Sequence, residues 1–259
     1  MPHAPPVLLI PPSEGKEPGG TGPPVTWDGG VFGPALGQTR IDVREAVRSA
    51  LRASGAAGAL LGVRGGHLDR ALDEWEHIDT APTLPAAMRY SGVVWGALGG
   101  DDMPAAARRR LMGRVVVPSG LWGLVAASDP IPAYRLKMGA RVPPLGLLAA
   151  LWRPLVTPAL VARARRGLVI DLLPQEHAAS IDTDAFRPGG HVRVDIVDEG
   201  PGGRRSAGHA GKSLKGALAR AILLNDARTV PDLAGLVVAG LGPGRVEDDG
   251  AAVVFTRTG

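Results

Sequence analysis

The stretch RVVVPSGLWGLVAASDPIPAYRLKMG, Arg114 to Gly139, decides how the rest of the chain is read. A run of valines closed by Pro118 predicts a buried strand over residues 114–118, with Ser119 and Gly120 where the strand ends and the chain turns. Beyond the turn, an acid (Asp129), a tyrosine (Tyr134) and a guanidinium (Arg135) form a polar island between apolar segments. Open α/β proteins place ligands outside the carboxyl ends of their strands, so this island is a candidate site. A second reading stays open, in which Asp129 caps a turn before Pro130 and Arg135 pairs with a surface acid.

Outward from this segment, the pattern alternates between the two secondary-structure periods. VLLI (Val7 to Ile10) reads as a buried strand running into the turn Pro11-Pro12-Ser13-Glu14-Gly15-Lys16, and the Gly- and Pro-rich residues 19–37 read as a surface loop. Asp42 opens a helical pattern with apolar Val43, Ala46, Val47, Ala50 and Leu51. AAGALLG, the glycine turn Gly62 to Gly66 and HLDRALDEWEHID then make a helix, glycine turn, helix pattern. Backbone N–H groups of such a turn can hold a phosphate, helped by Arg64 and His67 and opposed by Asp69, Asp73, Glu74 and Glu76; a packing corner is the alternative. Residues 84–98 read as a buried segment around Tyr90 and Trp95, and Pro104 to Gly113 as a short helix with a solvated Arg108-Arg109-Arg110 run. Pro144 to Leu155 and Pro158 to Arg166 read as a helical pair around Trp152, followed by the strand Gly167 to Leu173. The strand HVRVDIVDE, a glycine-rich turn, a helix from Lys212 to Asn225 and the strand AAVVFTR complete the chain. Strands alternating with helices predict an α/β (mixed α+β) fold with a central mixed sheet.

Composition bounds the function. A chain of 259 residues, 45% hydrophobic, can bury a large core. No apolar run approaches the roughly 20 residues of a membrane helix, and the N-terminus lacks the charged and apolar regions of a signal peptide, so a cytoplasmic protein with no membrane partner is expected. Zero cysteines exclude disulfides, thiolate catalysis and cysteine-based metal sites. No second histidine stands at metal-ligand spacing from His177, so neither a metal nor a cofactor is expected. The 29 Lys+Arg against 25 Asp+Glu permit anionic partners without requiring them.

Three groups of residues could carry chemistry. Ser13, Glu14 and Lys16 put a hydroxyl, a carboxylate and an amine on one turn, which suits anion binding or acid/base work; the spacing is not that of a P-loop. Glu176 and His177 follow a strand end, and an imidazole beside an acid can exchange protons near neutrality. Lys212, Lys215, Gly216 and Arg220 fall roughly on one face of a helix, where cations can meet phosphate.

The central segment also resembles the signature of the YaaA family of peroxide-stress proteins, S-G-L-Y-G, then D, then Y-R-L-x-M-G. The matches are Ser119, Gly120, Leu121, Gly123, Asp129, Tyr134, Arg135, Leu136, Met138 and Gly139, with Trp122 in place of the tyrosine. Lys16 corresponds to a Pro-Ser-Glu-Gly-Lys turn, Glu176 to an A-S-x-E-Y segment in which Pro174 and His177 replace serine and tyrosine, and Lys212, Lys215, Gly216 and Arg220 to a K-x-x-R-G-x-x-x-R run. Val93 stands where the family commonly has an acid. The resemblance implies a single domain over residues 1–259, a helix-hairpin-helix element at about 42–78, and a basic cleft binding double-stranded DNA or another phosphate-bearing ligand, in protection against peroxide. A monomer is expected. The rival expectation is an enzyme, of lyase or hydrolase type, on a small nucleotide-like or anionic metabolite. There Glu176, Asp129, His177 and Glu14 supply acid/base groups, Tyr134 orients the substrate, and Arg135 and Lys212 hold its charge.

Overall fold

Strands apolar at every position, rather than at alternate ones, belong in the middle of a sheet covered on both faces. The computed structural model describes residues 4–53, 55, 57–200 and 203–258, and it places two such strands side by side. Among the described residues eight strands form the central sheet: β1 (Val7–Leu9), β2 (Val115–Ser119), β3 (Gly123–Ala126), β4 (Val169–Asp171), β5 (His191–Gly200), β6 (Gly203–Ser206), β7 (Arg245–Glu247) and β8 (Ala252–Thr256). Their order is β7-β8-β5-β4-β1-β2-β3, with β6 folded back on β5. The inner block β8-β5-β4-β1-β2 is parallel, and β3, β6 and β7 are antiparallel additions. β1, β2 and β4 are buried along their whole length.

Ten α-helices occur among the described residues: α1 (Gly33–Arg52), α2 (Ala57–Leu61), α3 (Gly66–Glu76), α4 (Ala86–Arg89), α5 (Val93–Leu98), α6 (Ala105–Arg114), α7 (Leu148–Ala164), α8 (Gln175–Ala178), α9 (Gly208–Asn225) and α10 (Val230–Ala234). α1 and α7 pack together and on β3, while α5 and α6 pack on α9. The fold is therefore mixed α/β with a central mixed sheet, as the alternation of periods predicts.

Several boundaries differ from the sequence reading. Residues 33–37 are the first turns of α1 and not loop: Pro34 sits in the first helical turn, where its missing N–H costs nothing. Gly37 is needed there because a Cβ would lie 2.8 Å from Asp28 Cα. The expected helical pair around Trp152 is the single helix α7, which runs through Pro154 and Pro158; the buried residues Leu148, Ala149, Trp152, Val156, Thr157, Leu160 and Ala164 hold it to the core despite two missing N–H donors. α9 starts at Gly208, four residues before Lys212.

The chain does form a helix, glycine turn and helix at α2 and α3, but the first arm has only five residues, and a helix-hairpin-helix is not established. Residues 54 and 56, before α2, lie outside the described residues, as do 201 and 202 of the expected glycine-rich turn. α2 and α3 bury Leu61, Ala71 and Trp75 in the common core.

Candidate functional site

From β1 the chain crosses to β2 on one side, and later places β4 on the other. The carboxyl end of β1 is thus a point where the winding reverses, which leaves a crevice between the outgoing loops. Three loops open there. The loop after β1 brings Pro12, Ser13, Glu14 and Lys16, the loop after β3 brings Tyr134, Arg135, Leu136 and Lys137, and α8 after β4 brings Glu176 and His177; together they line one cleft of about 70 Å³.

Lys16 is the central group. Its Nζ donates to the Ser13 carbonyl at 3.0 Å and stands 4.2 Å from the centroid of the Tyr134 ring and 5.5 Å from that of Tyr90. An aromatic face favours the ammonium, yet burial pushes the amine down from its ordinary 10.5 to about 7. Glu74 and Glu14 oppose the shift, and Arg135 and Arg89 reinforce it. Burial wins because removing an ammonium from water costs more than a ring or a carboxylate beyond ion-pair range returns.

Glu14 accepts from Arg135 Nη2 at 2.7 Å, and Lys137 Nζ stands 3.3 Å from its other oxygen. Partial burial pushes this carboxyl up, but the hydrogen bonds from Arg135 and Lys137 outweigh it and hold the pKa below the usual range. Arg135 is fixed from behind: its Nε donates to the Leu61 carbonyl at 3.2 Å, and its own carbonyl accepts from Trp75 Nε1 at 2.9 Å. Positioning the arginine is thus a demonstrable task of α2 and α3. Gly120 is required where the Lys137 backbone crosses the strand end, since a Cβ would lie 2.7 Å from the Lys137 carbonyl.

Tyr134 presents its ring to Lys16 and turns its hydroxyl inward, 2.7 Å from Ser119 Oγ and 2.8 Å from the Tyr90 hydroxyl. Ser119 Oγ also accepts from the backbone N–H groups of Leu121 and Trp122, both at 3.3 Å. Burial pushes Tyr134 up to about 12 and Tyr90 well above its ordinary value. Both phenols are neutral at pH 7, so this chain fixes the cleft wall and is no base. Ser13 likewise serves its own turn, donating to Gly15 O and accepting from Ser91 N at 2.9 Å. On the opposite wall, Glu176 is exposed and accepts from Gly139 N at 2.9 Å. His177 has a buried Nδ1 with no hydrogen-bond partner among the described residues. Burial lowers its pKa against the pull of Glu176, which leaves the ring neutral at pH 7.

Six expected site residues line no part of this cleft: Ser119 and Gly120 at the end of β2, and Asp129, Arg220, Lys215 and Lys212. Asp129 is buried under the turn after β3, accepting from Ala126 N at 2.9 Å and Val31 N at 3.0 Å, which is the capping role of the second reading. Arg220 donates to the Leu98 and Gly99 carbonyls at 3.0 and 2.7 Å and so caps the end of α5. Lys215 donates to the Leu172 carbonyl at 3.0 Å, bracing the segment that carries Glu176 and His177. Lys212 is exposed, with no hydrogen bond or ion pair among the described residues. Gly216 serves helix packing: a Cβ there would lie 2.2 Å from Val94 O. The sequence reading missed Lys137, a variable position of the motif, and Glu74, which faces Lys16 electrostatically and whose pKa burial raises. Alternation of charge with Trp75 on α3 was the available signal for Glu74.

Fold and site together define an α/β protein with a charged cleft at the carboxyl ends of its parallel strands. The chain matches the family model described as peroxide stress protein YaaA over residues 7–242, and it belongs to that family. A UPF0246 protein of Streptomyces coelicolor is 36% identical over 222 residues, 84% of this chain and 82% of the relative. A UPF0246 protein of Corynebacterium glutamicum is 32% identical over 246 residues, 90% of this chain and 94% of the relative.

Proposed function

We propose that this protein is an enzyme acting on a small anionic molecule, within the peroxide-stress setting that its family's description names. The observation that carries this reading is the amine of Lys16, poised near neutrality in a cleft whose walls carry both cations and acids. Perturbed groups of this kind gather where proton transfer or nucleophilic attack is needed. Arg135 and Lys137 hold the substrate's charge after it displaces Glu14, Lys16 and Glu176 act on the reacting end, and neutral His177 accepts a hydrogen bond. A cleft of about 70 Å³ is of a size to take the reacting group of a small molecule.

Less supports duplex binding. Lys215 and Arg220 are committed to backbone carbonyls, and the exposed acids Asp69, Asp73 and Glu76 stand beside Arg64 and His67. Carboxylates repel phosphates, so a surface that only neutralises DNA has no use for them. The test is incubation with a panel of phosphorylated and carboxylated metabolites, read by mass spectrometry, beside gel shifts with two unrelated duplexes. Conversion lost in Lys16→Met and in Glu176→Gln, the latter binding ligand as well as or better than wild type, supports the reading. Salt-sensitive duplex binding with no small molecule bound or converted refutes it.

A further inference from the structure

Of the 29 basic residues only four are lysines, Lys16, Lys137, Lys212 and Lys215, and their surroundings separate them. Lys137 is 43% exposed and faces the Glu14 carboxylate. Lys212 points to solvent, and Lys215 is tied to the Leu172 carbonyl. Lys16 alone lines the cleft half-buried, with its amine on the Ser13 carbonyl and over the Tyr134 ring and no carboxylate in ion-pair contact to hold it as ammonium. A proton shuttle alone could be supplied by the exposed Glu176. A desolvated primary amine beside a guanidinium is the arrangement that activates lysine as a nucleophile.

We infer that Lys16 is a nucleophile that condenses with the carbonyl carbon of a small aldehyde or ketone bearing a carboxylate or phosphate, whose anionic end Arg135 and Lys137 hold. This names the substrate class of the cleft and rests on the anion-site reading above. The Lys16 lone pair attacks the carbonyl carbon, the C=O electrons move to oxygen, and the resulting carbinolamine loses water. One C=N bond replaces the C=O bond, and the released water carries the substrate oxygen and both amine hydrogens; no oxidant or reductant is needed. Glu176 and His177, across the cleft, are placed to move the proton that the departing oxygen requires.

The burial of the amine also sets its reactivity. At pH 7 an ordinary lysine is about 0.03% unprotonated, whereas an amine whose pKa is about 7 is half so. Glyoxylate, an aldehyde with a carboxylate, is the probe. Wild-type protein is incubated with glyoxylate and cyanoborohydride at pH 7, which reduces any imine to a stable secondary amine, and the four lysines are followed by peptide mapping. The expected result is modification of Lys16 at least tenfold faster than Lys212, slowed by acetate, which offers the charge without the carbonyl. Thermal unfolding with acetate is read in parallel. Lys16 labelling no faster than Lys212, while acetate still raises the melting temperature in wild type but not in Arg135→Ala, overturns the nucleophile and leaves the anion cleft standing. Slow labelling with no acetate effect overturns both.

Discussion

Replacing Lys16 by methionine should make the fold less sensitive to pH, and the size of the effect follows from the surroundings of the amine. Burial lowers this group from 10.5 to about 7, so between those values the unfolded chain holds a proton that the folded chain does not. Stability therefore rises with pH across that window: the cost of burying the charge is complete below about pH 7 and gone above 10.5. Linkage over the 3.5-unit interval gives a cost of about 4 kcal/mol at pH 7.5 and about 1.5 kcal/mol at pH 9.5. Methionine keeps the length of the side chain and carries no proton. Denaturant unfolding of wild type and Lys16→Met at both pH values should thus show the stability difference between them changing by about 2.5 kcal/mol, with the variant gaining relative to wild type at the lower pH. Loss of the bond to the Ser13 carbonyl and of the contact with Tyr134 shifts both measurements alike and cancels in the comparison. A difference that stays constant from pH 7.5 to 9.5 would refute the claim that the amine is desolvated.

Two further outcomes concern residues of α9. Arg220→Ala should lower stability by about 2 kcal/mol, because the last carbonyls of α5 lose their donor, while Lys212→Ala, on the same helix, should change it by less than about 0.5 kcal/mol; equal effects in thermal unfolding would contradict the assignment of one to structure and the other to solvent. Gly216→Ala should cost about 3 kcal/mol, since its Cβ meets the Val94 carbonyl at 2.2 Å and forces α5 and α9 apart; a variant that melts with wild type would show that the helices do not pack so closely.

Uniform apolar runs made β1, β2 and β4 legible, because a strand covered on both faces has no polar alternation to confuse with a helix. β5 was legible for the opposite reason: Val192, Val194 and Ile196 alternate with His191, Arg193 and Asp195. The start of α1 was hidden by glycines and prolines that serve helix initiation and close approach to Asp28, and composition reports both as loop. Of the site, Ser13, Glu14, Lys16, Tyr134, Arg135, Glu176 and His177 were named from strand ends, and the structure gathers them in one cleft. The run Lys212 to Arg220 shows what helical spacing leaves out. Helical spacing tells which residues share a face but not whether that face meets solvent or a neighbouring helix, and here Gly216 draws α9 against α5 so that Arg220 finds carbonyls instead of a ligand. Asp129 was ambiguous for want of tertiary information: its partner Val31 is 98 residues away.

The most direct test of the account follows the amine itself. With only four lysines in the chain, protein labelled with carbon-13 at lysine Cε gives few enough resonances to assign Lys16 by its absence in Lys16→Met. This resonance should titrate near pH 7, and inorganic phosphate should move its midpoint upward, since an anion held by Arg135 and Lys137 beside the amine favours the ammonium. A Lys16 resonance that titrates above pH 10 and ignores phosphate would contradict it.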